Sequence, residues 1–255
     1  MRLPLCFLAF LAACADPAPS GPQGDDAAVA LVRKAQTAHN SDALDGATLH
    51  FTFRGDPFTA RRDGGRFRYT RTTRDDAGRE VVDILDNAGL ARTVNGENVA
   101  IPEEERGGLE TALNSVVYFA TLPAALSDPA VQARALGPDS IAGERYEKLE
   151  VTFAQEGGGR DWEDRYLYWI HPEQGTLDYL AYSYELAPGA DGRNDTGHRF
   201  RRVIGVSDAS GFRVQDYANL TADSLASLED YPAALARGAT REVSEVLTEN
   251  ARLER

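Results

Sequence analysis

The sequence predicts an α+β domain in which a single curved antiparallel sheet encloses a helix over residues 109–122. Three observations predict it. Apolar residues alternate with period two on both sides of one strongly apolar segment. The connections between the alternating segments are too short for the crossovers of a parallel sheet. Hydrophobic residues make up 42% of the 255-residue chain, enough to fill one ordinary core.

The elements follow in order. Met1-Arg2 carries one positive charge, and Leu3 to Ala13 is apolar apart from Pro4. Leu11-Ala12-Ala13-Cys14 closes the run on small residues and a cysteine. The run is too short to span a bilayer and has the pattern of an export signal. It resembles the lipobox of bacterial lipoproteins. The resemblance implies cleavage after residue 13, a thioether-linked diacylglycerol on Cys14 and an acylated new N-terminus. Two or more acyl chains hold a protein on a membrane stably. Cys6 leaves with the signal, so the mature fold has no thiol for a disulfide and depends on its core. Residues 14–24 are rich in Pro, Ala, Gly and Ser and read as a flexible tether; residues 25–255 read as one domain.

Asp25-Asp26 opens a helix, with carboxylates at the positive end of its dipole. Ala28, Leu31, Val32, Ala35, Ala38 and His39 share one face, which makes His39 a packed core histidine. From Thr48 the period is two. Strands 58–62 and 66–72 flank Asp63-Gly64-Gly65, and strands 81–85 and 90–94 flank Asp86-Asn87-Ala88-Gly89; both read as hairpins. The arginines between Arg54 and Arg74 read as the solvated face of these strands. Asn95-Gly96 turns into Val99-Ala100-Ile101. Pro102-Glu103-Glu104-Glu105 starts the apolar helix, whose stripe is Leu109, Leu113, Val116, Val117 and Ala120, and Pro123 closes it. Residues 129–137 read as a short helix or loop. Strands follow at 146–154, 166–170, 177–185, 199–206 and 212–219. The tail from 240 to 253 fits a helix and a strand about equally.

Charge and motifs exclude several functions. The net charge is −13 and the signal removes only Arg2, which leaves the mature chain near −14. Nucleic acid needs a compensating cationic surface, so it is excluded as a partner. No Gly-x-Ser-x-Gly elbow and no phosphate-cradling loop is present, and His39, His50, His171 and His198 are scattered. The chain therefore reads as non-enzymatic, monomeric and without a cofactor. Glu156, Asp161, Glu163 and Asp164 surround three glycines, a weak set of oxygen donors for a hard cation that more simply forms an acidic hairpin loop. Asp191-Gly192-Arg193-Asn194-Asp195 is a turn on its own. Arg199 and Arg201 share one strand face; Asp178, Leu180 and Tyr182 share another, and Asp216 can meet either. Buried charges are usually paired, so an ion pair that fixes register is the first expectation. The alternative is that Arg199 and Arg201 bind a carboxylate or phosphate head group.

The order of helix, antiparallel strands, apolar helix and further strands resembles the lipoprotein-carrier and lipoprotein-receptor fold of Gram-negative envelopes. That resemblance implies a strongly curved, unclosed barrel wrapped around helices over an apolar cavity. A more specific resemblance is to a family of uncharacterised bacterial envelope lipoproteins. It rests on Asn114-Ser115-Val116-Val117-Tyr118-Phe119 with Leu122-Pro123, and on Gln155-Glu156-Gly157-Gly158-Gly159-Arg160-Asp161. Tyr168-Trp169-Ile170-His171-Pro172, Leu177-Asp178-Tyr179-Leu180-Ala181-Tyr182, Arg199-Phe200-Arg201 and Asp216-Tyr217-Ala218-Asn219 complete it. These motifs carry no assigned chemistry, but the resemblance favours a strand for the tail. Ala15, not an acid, follows Cys14; by the enteric sorting rule this implies an outer-membrane lipoprotein facing the periplasm. The leading expectation is a lipoprotein that binds an acyl chain or other apolar molecule, with Phe119, Tyr166, Tyr168, Trp169, Leu180 and Tyr182 lining its cavity. Tyrosine rings suit such a wall because their hydroxyls find partners at its mouth. The other expectation is a structural or protein-interaction lipoprotein whose aromatics fill a packed core.

Overall fold

The structure, a computed structural model, describes residues 21–156, 162–185, 196–223 and 225–255. The signal segment, Cys14, most of the tether, Asp161 and the loop around Asp191 lie outside the described residues.

The described residues begin with β1 (Gln23–Gly24) and α1 (Asp26–His39). A meander follows: β2 (Thr48–Phe53), β3 (Asp56–Asp63), β4 (Arg66–Arg74), β5 (Glu80–Asp86), β6 (Gly89–Val94) and β7 (Glu97–Val99). After α2 (Glu103–Ala120) come β8 (Val131–Ile141), β9 (Glu144–Phe153), β10 (Tyr166–Ile170), β11 (Leu177–Glu185), β12 (Thr196–Ala209) and β13 (Phe212–Ala222). The short helix α3 (Tyr231–Ala236), β14 (Thr240–Val246) and β15 (Glu249–Glu254) complete the order.

The α+β class and the strongly curved, unclosed antiparallel architecture are those the sequence predicts, but the strands divide between two sheets where a single one was expected. Hydrogen bonding runs in the order β1-β8-β9-β10-β11-β12-β13-β14 in one sheet and β15-β2-β3-β4-β5-β6-β7 in the other. Only Leu247 and Thr248 separate β14 from β15, so the chain steps from the edge of one sheet to the edge of the other. Local chemistry sets the turns. Gly64 and Gly65 have φ of 55° and 84°, and Asn95-Gly96 has 49° and 83°; positive φ at both central residues matches the twist of a two-residue hairpin.

Asp25 caps α1 by accepting the Ala28 N–H at 2.8 Å, a bond that holds its carboxyl below the usual range. Ala28, Val32 and Ala35 are buried, and His39 is fully buried with Nε2 accepting the Leu177 N–H at 3.2 Å. His171, in the turn before β11, accepts the N–H groups of Glu173 and Gln174 on Nδ1.

Two local readings are corrected. Residues 131–141 form a strand, not a helix or loop; Val131 to Arg134 alternate buried and exposed, and pairing with β9 outweighs the weak strand preference of the alanines. Gln23 and Gly24, expected in the tether, pair with Gln132 and Ala133 in parallel. The tail is two strands, as the family resemblance favoured.

The core has three parts. One cluster joins α1 to Phe119, Leu122, Tyr166, Tyr168, Leu180 and Tyr217 on the inner face of the eight-stranded sheet. A second joins Leu113, Val117 and Ala120 of α2 to Phe51, Phe58 and Tyr69 of the seven-stranded sheet. Thus α2 lies between the sheets. The third packs α3 on the outer face of the eight-stranded sheet, around Trp169, Phe200, Ala218 and Tyr231. All three clusters and every described element lie between Gln23 and Glu254, so this segment carries the whole described core.

Candidate functional site

The two sheets meet where Ala209, Phe212 and Val214 pack with Leu49, Phe51 and Phe58, and elsewhere their inner faces stand apart. They and α2 enclose a cavity of about 910 Å3. Period two decides what faces it. Phe51 and Phe53 of β2, Phe58 of β3, Phe67 and Tyr69 of β4 and Leu85 of β5 form one wall. Phe153, Tyr166, Tyr182, Arg199, Arg201, Tyr217 and Asn219 form the other, and α2 contributes Val116, Tyr118 and Phe119. Exposed Arg54, Asn114, Glu163 and Glu185 also line it and mark its mouth.

The aromatic wall is continuous. Tyr166 stacks on Tyr182 with centroids 5.4 Å apart, Phe119 lies 5.2 Å from Tyr182, and Phe153 meets Tyr166 edge-on at 5.8 Å. Across the cavity Phe51 stacks on Phe58 at 5.3 Å. The deeper hydroxyls are satisfied. Tyr118 and Tyr168 share a hydrogen bond of 2.5 Å, and Tyr217 donates to Gln215 Oε1 at 3.0 Å. Burial pushes all three phenols up, so they stay neutral.

Of the residues expected to line a cavity, Phe119, Tyr166 and Tyr182 do. Tyr168 and Leu180 are fully buried behind the wall. Trp169 points to the opposite face of β10, where its indole N–H donates to Asp139 at 3.0 Å and its ring packs on Phe200. Alternation along β10 separates it from Tyr166 and Tyr168. Among the weak cation candidates, Asp164 lines the cavity and accepts the Tyr166 hydroxyl at 3.4 Å, while Glu156 is exposed. The described residues contain no group of three or more His, Cys, Asp or Glu placed to hold a metal ion.

Arg199 and Arg201 both line the cavity, directly opposite Tyr182 and Leu180 on β11. The ion pair expected of Arg201 is absent among the described residues. A bulge at Asp178, between Leu177 and Tyr179, turns that side chain to the outer face, where it meets the Tyr146 hydroxyl at 3.4 Å. Asp216 accepts the Thr248 N–H at 2.7 Å instead. Arg201 is only 7% exposed. Its guanidinium lies 3.5 Å over the Phe119 ring and donates one bond, to the Tyr182 hydroxyl at 3.1 Å; Nε and Nη1 are buried without a partner. Arg199 is half-buried, donates to the His198 carbonyl at 2.8 Å and lies 5.3 Å over Tyr184.

Sequence reasoning missed the wall from the first sheet, although the alternation of Phe51, Phe53 and Phe58 carried the signal. It quoted Tyr217 and Asn219 within a motif without giving them a role.

No helix among the described residues is long and apolar enough to cross a membrane. No curated protein matches this chain. Among solved structures, a LolA superfamily protein from Nitrosomonas europaea is similar with 12% identity and a TM-score of 0.44, covering 87% of this chain and 94% of that one. A DUF1329 family protein from Desulfovibrio piger is similar with 11% identity and a TM-score of 0.40, covering 90% and 94%. A family of unknown function, DUF6503, matches residues 83–246. That match takes in more than half of the chain, including α2, the strands that carry Phe153, Tyr166 and Tyr182 and both cavity arginines, and the chain belongs to the DUF6503 family.

Proposed function

We propose that the protein is a lipid-anchored lipoprotein of the bacterial envelope that holds an acyl chain or another apolar ligand between its sheets, as a binding protein and not an enzyme. The cavity carries this reading. Its volume of about 910 Å3 is that of a small-molecule site, and aromatic rings make up a large part of its walls, beside charged groups such as Arg62, Asp128 and Asp164. Protein cores are otherwise packed nearly as densely as organic crystals, with few voids larger than a water molecule. An open aromatic chamber therefore favours ligand binding over a purely structural role. The anchor rests on Leu11-Ala12-Ala13-Cys14, and outer-membrane sorting on Ala15.

The test uses residues 21–255, which carry the whole described core. Native mass spectrometry is expected to find co-purified lipid, and the delipidated domain is expected to bind the uncharged dye Nile red. Val116 is half-buried on the cavity wall. Val116→Trp puts an indole into the chamber and is expected to weaken Nile red binding by about tenfold or more, because the dye loses apolar contact area. A domain that carries no lipid and binds no Nile red overturns the reading in favour of a structural or interaction role.

A further inference from the structure

The cavity is not apolar throughout. Arg201 stands on its wall and is more than nine-tenths buried. A guanidinium cannot give up its proton in a protein, so burial cannot neutralise it. Taking such a charge out of water costs several kcal/mol unless it is paired. The Phe119 ring beneath it and one tyrosine hydroxyl offset part of that cost. Nε and Nη1 have no partner among the described residues.

The neighbouring charges do not supply the missing partner. Asp56 is held by Arg71 at 2.7 Å and Asp128 by Arg62 at 3.0 Å. Asp216 is engaged by the Thr248 N–H. Asn219, directly across the ladder from Arg201, lines the same wall and has a buried amide oxygen without a partner, while its Nδ2 donates to Ser244 Oγ at 3.2 Å. Arg199, two residues along on the same face, adds a second cation. Among the described residues that line the cavity, the buried unsatisfied polar atoms are thus confined to one patch, flanked by the rings of Phe119 and Tyr182.

We infer that the ligand is an amphiphile whose anionic head, a carboxylate or phosphate, is bound by Arg201 beside Arg199 and Asn219, with its tail along the aromatic walls. This rests on the cavity reading above and adds the class of ligand. Two or three oxygens on one atom match the fork of guanidinium donors, and the surrounding apolar walls strengthen the pair.

The experiment displaces Nile red from residues 21–255 with three molecules of equal chain length: hexadecanoate, hexadecyl phosphate and hexadecan-1-ol. The anionic amphiphiles are expected to displace the dye at concentrations about 10- to 100-fold below the alcohol, the range for hydrogen bonds to a charged group. The more effective of the two identifies carboxylate or phosphate as the head. Arg201→Gln is expected to bring that ratio close to one. Arg201→Lys, which keeps the charge but loses the fork, should restore part of it. Arg68→Gln, which removes an exposed arginine paired with Asp86 outside the cavity, should leave the ratio unchanged. Equal displacement by acid and alcohol in the native protein, or a preference that survives Arg201→Gln, overturns the inference while the cavity reading stands. Failure of every probe, Nile red included, overturns the cavity reading itself.

Discussion

At His39 burial decides the protonation state. Desolvation, aided by the nearby positive charge of Arg213, lowers its pKa from 6.5 to about 4. The folded value lies below the unfolded one, so the unfolded chain takes the proton first. Stability is full above about 6.5 and falls as the pH drops toward about 4. From this group alone the domain is expected to lose roughly 2 kcal/mol between about pH 7 and about pH 5. His39→Gln keeps an acceptor for the Leu177 N–H and should remove that part of the slope in urea unfolding; equal slopes in both proteins would refute the assignment. The apolar stripe of α1 marked His39 as a core residue, since helical spacing alone puts it beside Val32 and Ala35. Arg201 was legible only in part. Strand spacing singled it out, but its partners depend on the bulge at Asp178 and on the backbone bond that Thr248 makes with Asp216, and no period-two pattern reveals either.

Among the elements, the hairpins were legible because their turns state their own geometry, Gly64-Gly65 and Asn95-Gly96 both needing positive φ. The apolar helix was legible from its stripe and from Pro102 and Pro123 at its ends. The start of β8 was hidden because its inward positions there are Val131, Ala133 and half-buried Ala135, and alanine declares no strand. α3 was hidden because six residues are too few to show a period. Yet α3 explains why both faces of β10 are apolar. Tyr231 is fully buried, stacks on Phe200 with centroids 5.0 Å apart and shares a hydrogen bond with His198. Tyr231→Ala should therefore cost about 3–5 kcal/mol, as large aromatic deletions in cores do. The urea midpoint measures this. Below the transition the variant should still bind Nile red, because α3 and the cavity lie on opposite faces of the sheet; loss of both together would mean that the faces are not independent.

For the molecule as a whole, a chain of ion pairs fastens the eight-stranded sheet to the segment that leads into α3. Arg134 meets Glu150 at 2.5 Å, Glu150 meets Arg165 at 2.6 Å, and Arg165 grips Glu229. The Arg165 hydrogen bond lowers the Glu229 pKa from 4.5 to about 2. Its stabilising effect is complete above about 4.5 and is lost as the pH falls toward about 2. With 35% of that side chain exposed, solvent screens much of it. In urea unfolding the gap between the native protein and Glu229→Gln should be widest near neutral pH and should narrow by about pH 3.5; a constant gap would exclude Glu229 as the group responsible. The step from β14 to β15 has a different reach. Residues 249–254 border β2, made about 200 residues earlier, so the seven-stranded sheet waits for them through most of synthesis. Until they arrive, the edge of β2 stands open, a template for the wrong neighbour. A nascent or truncated chain is thereby distinguishable from a finished one by that bare edge alone, and a chaperone or protease that reads strand edges has its signal there.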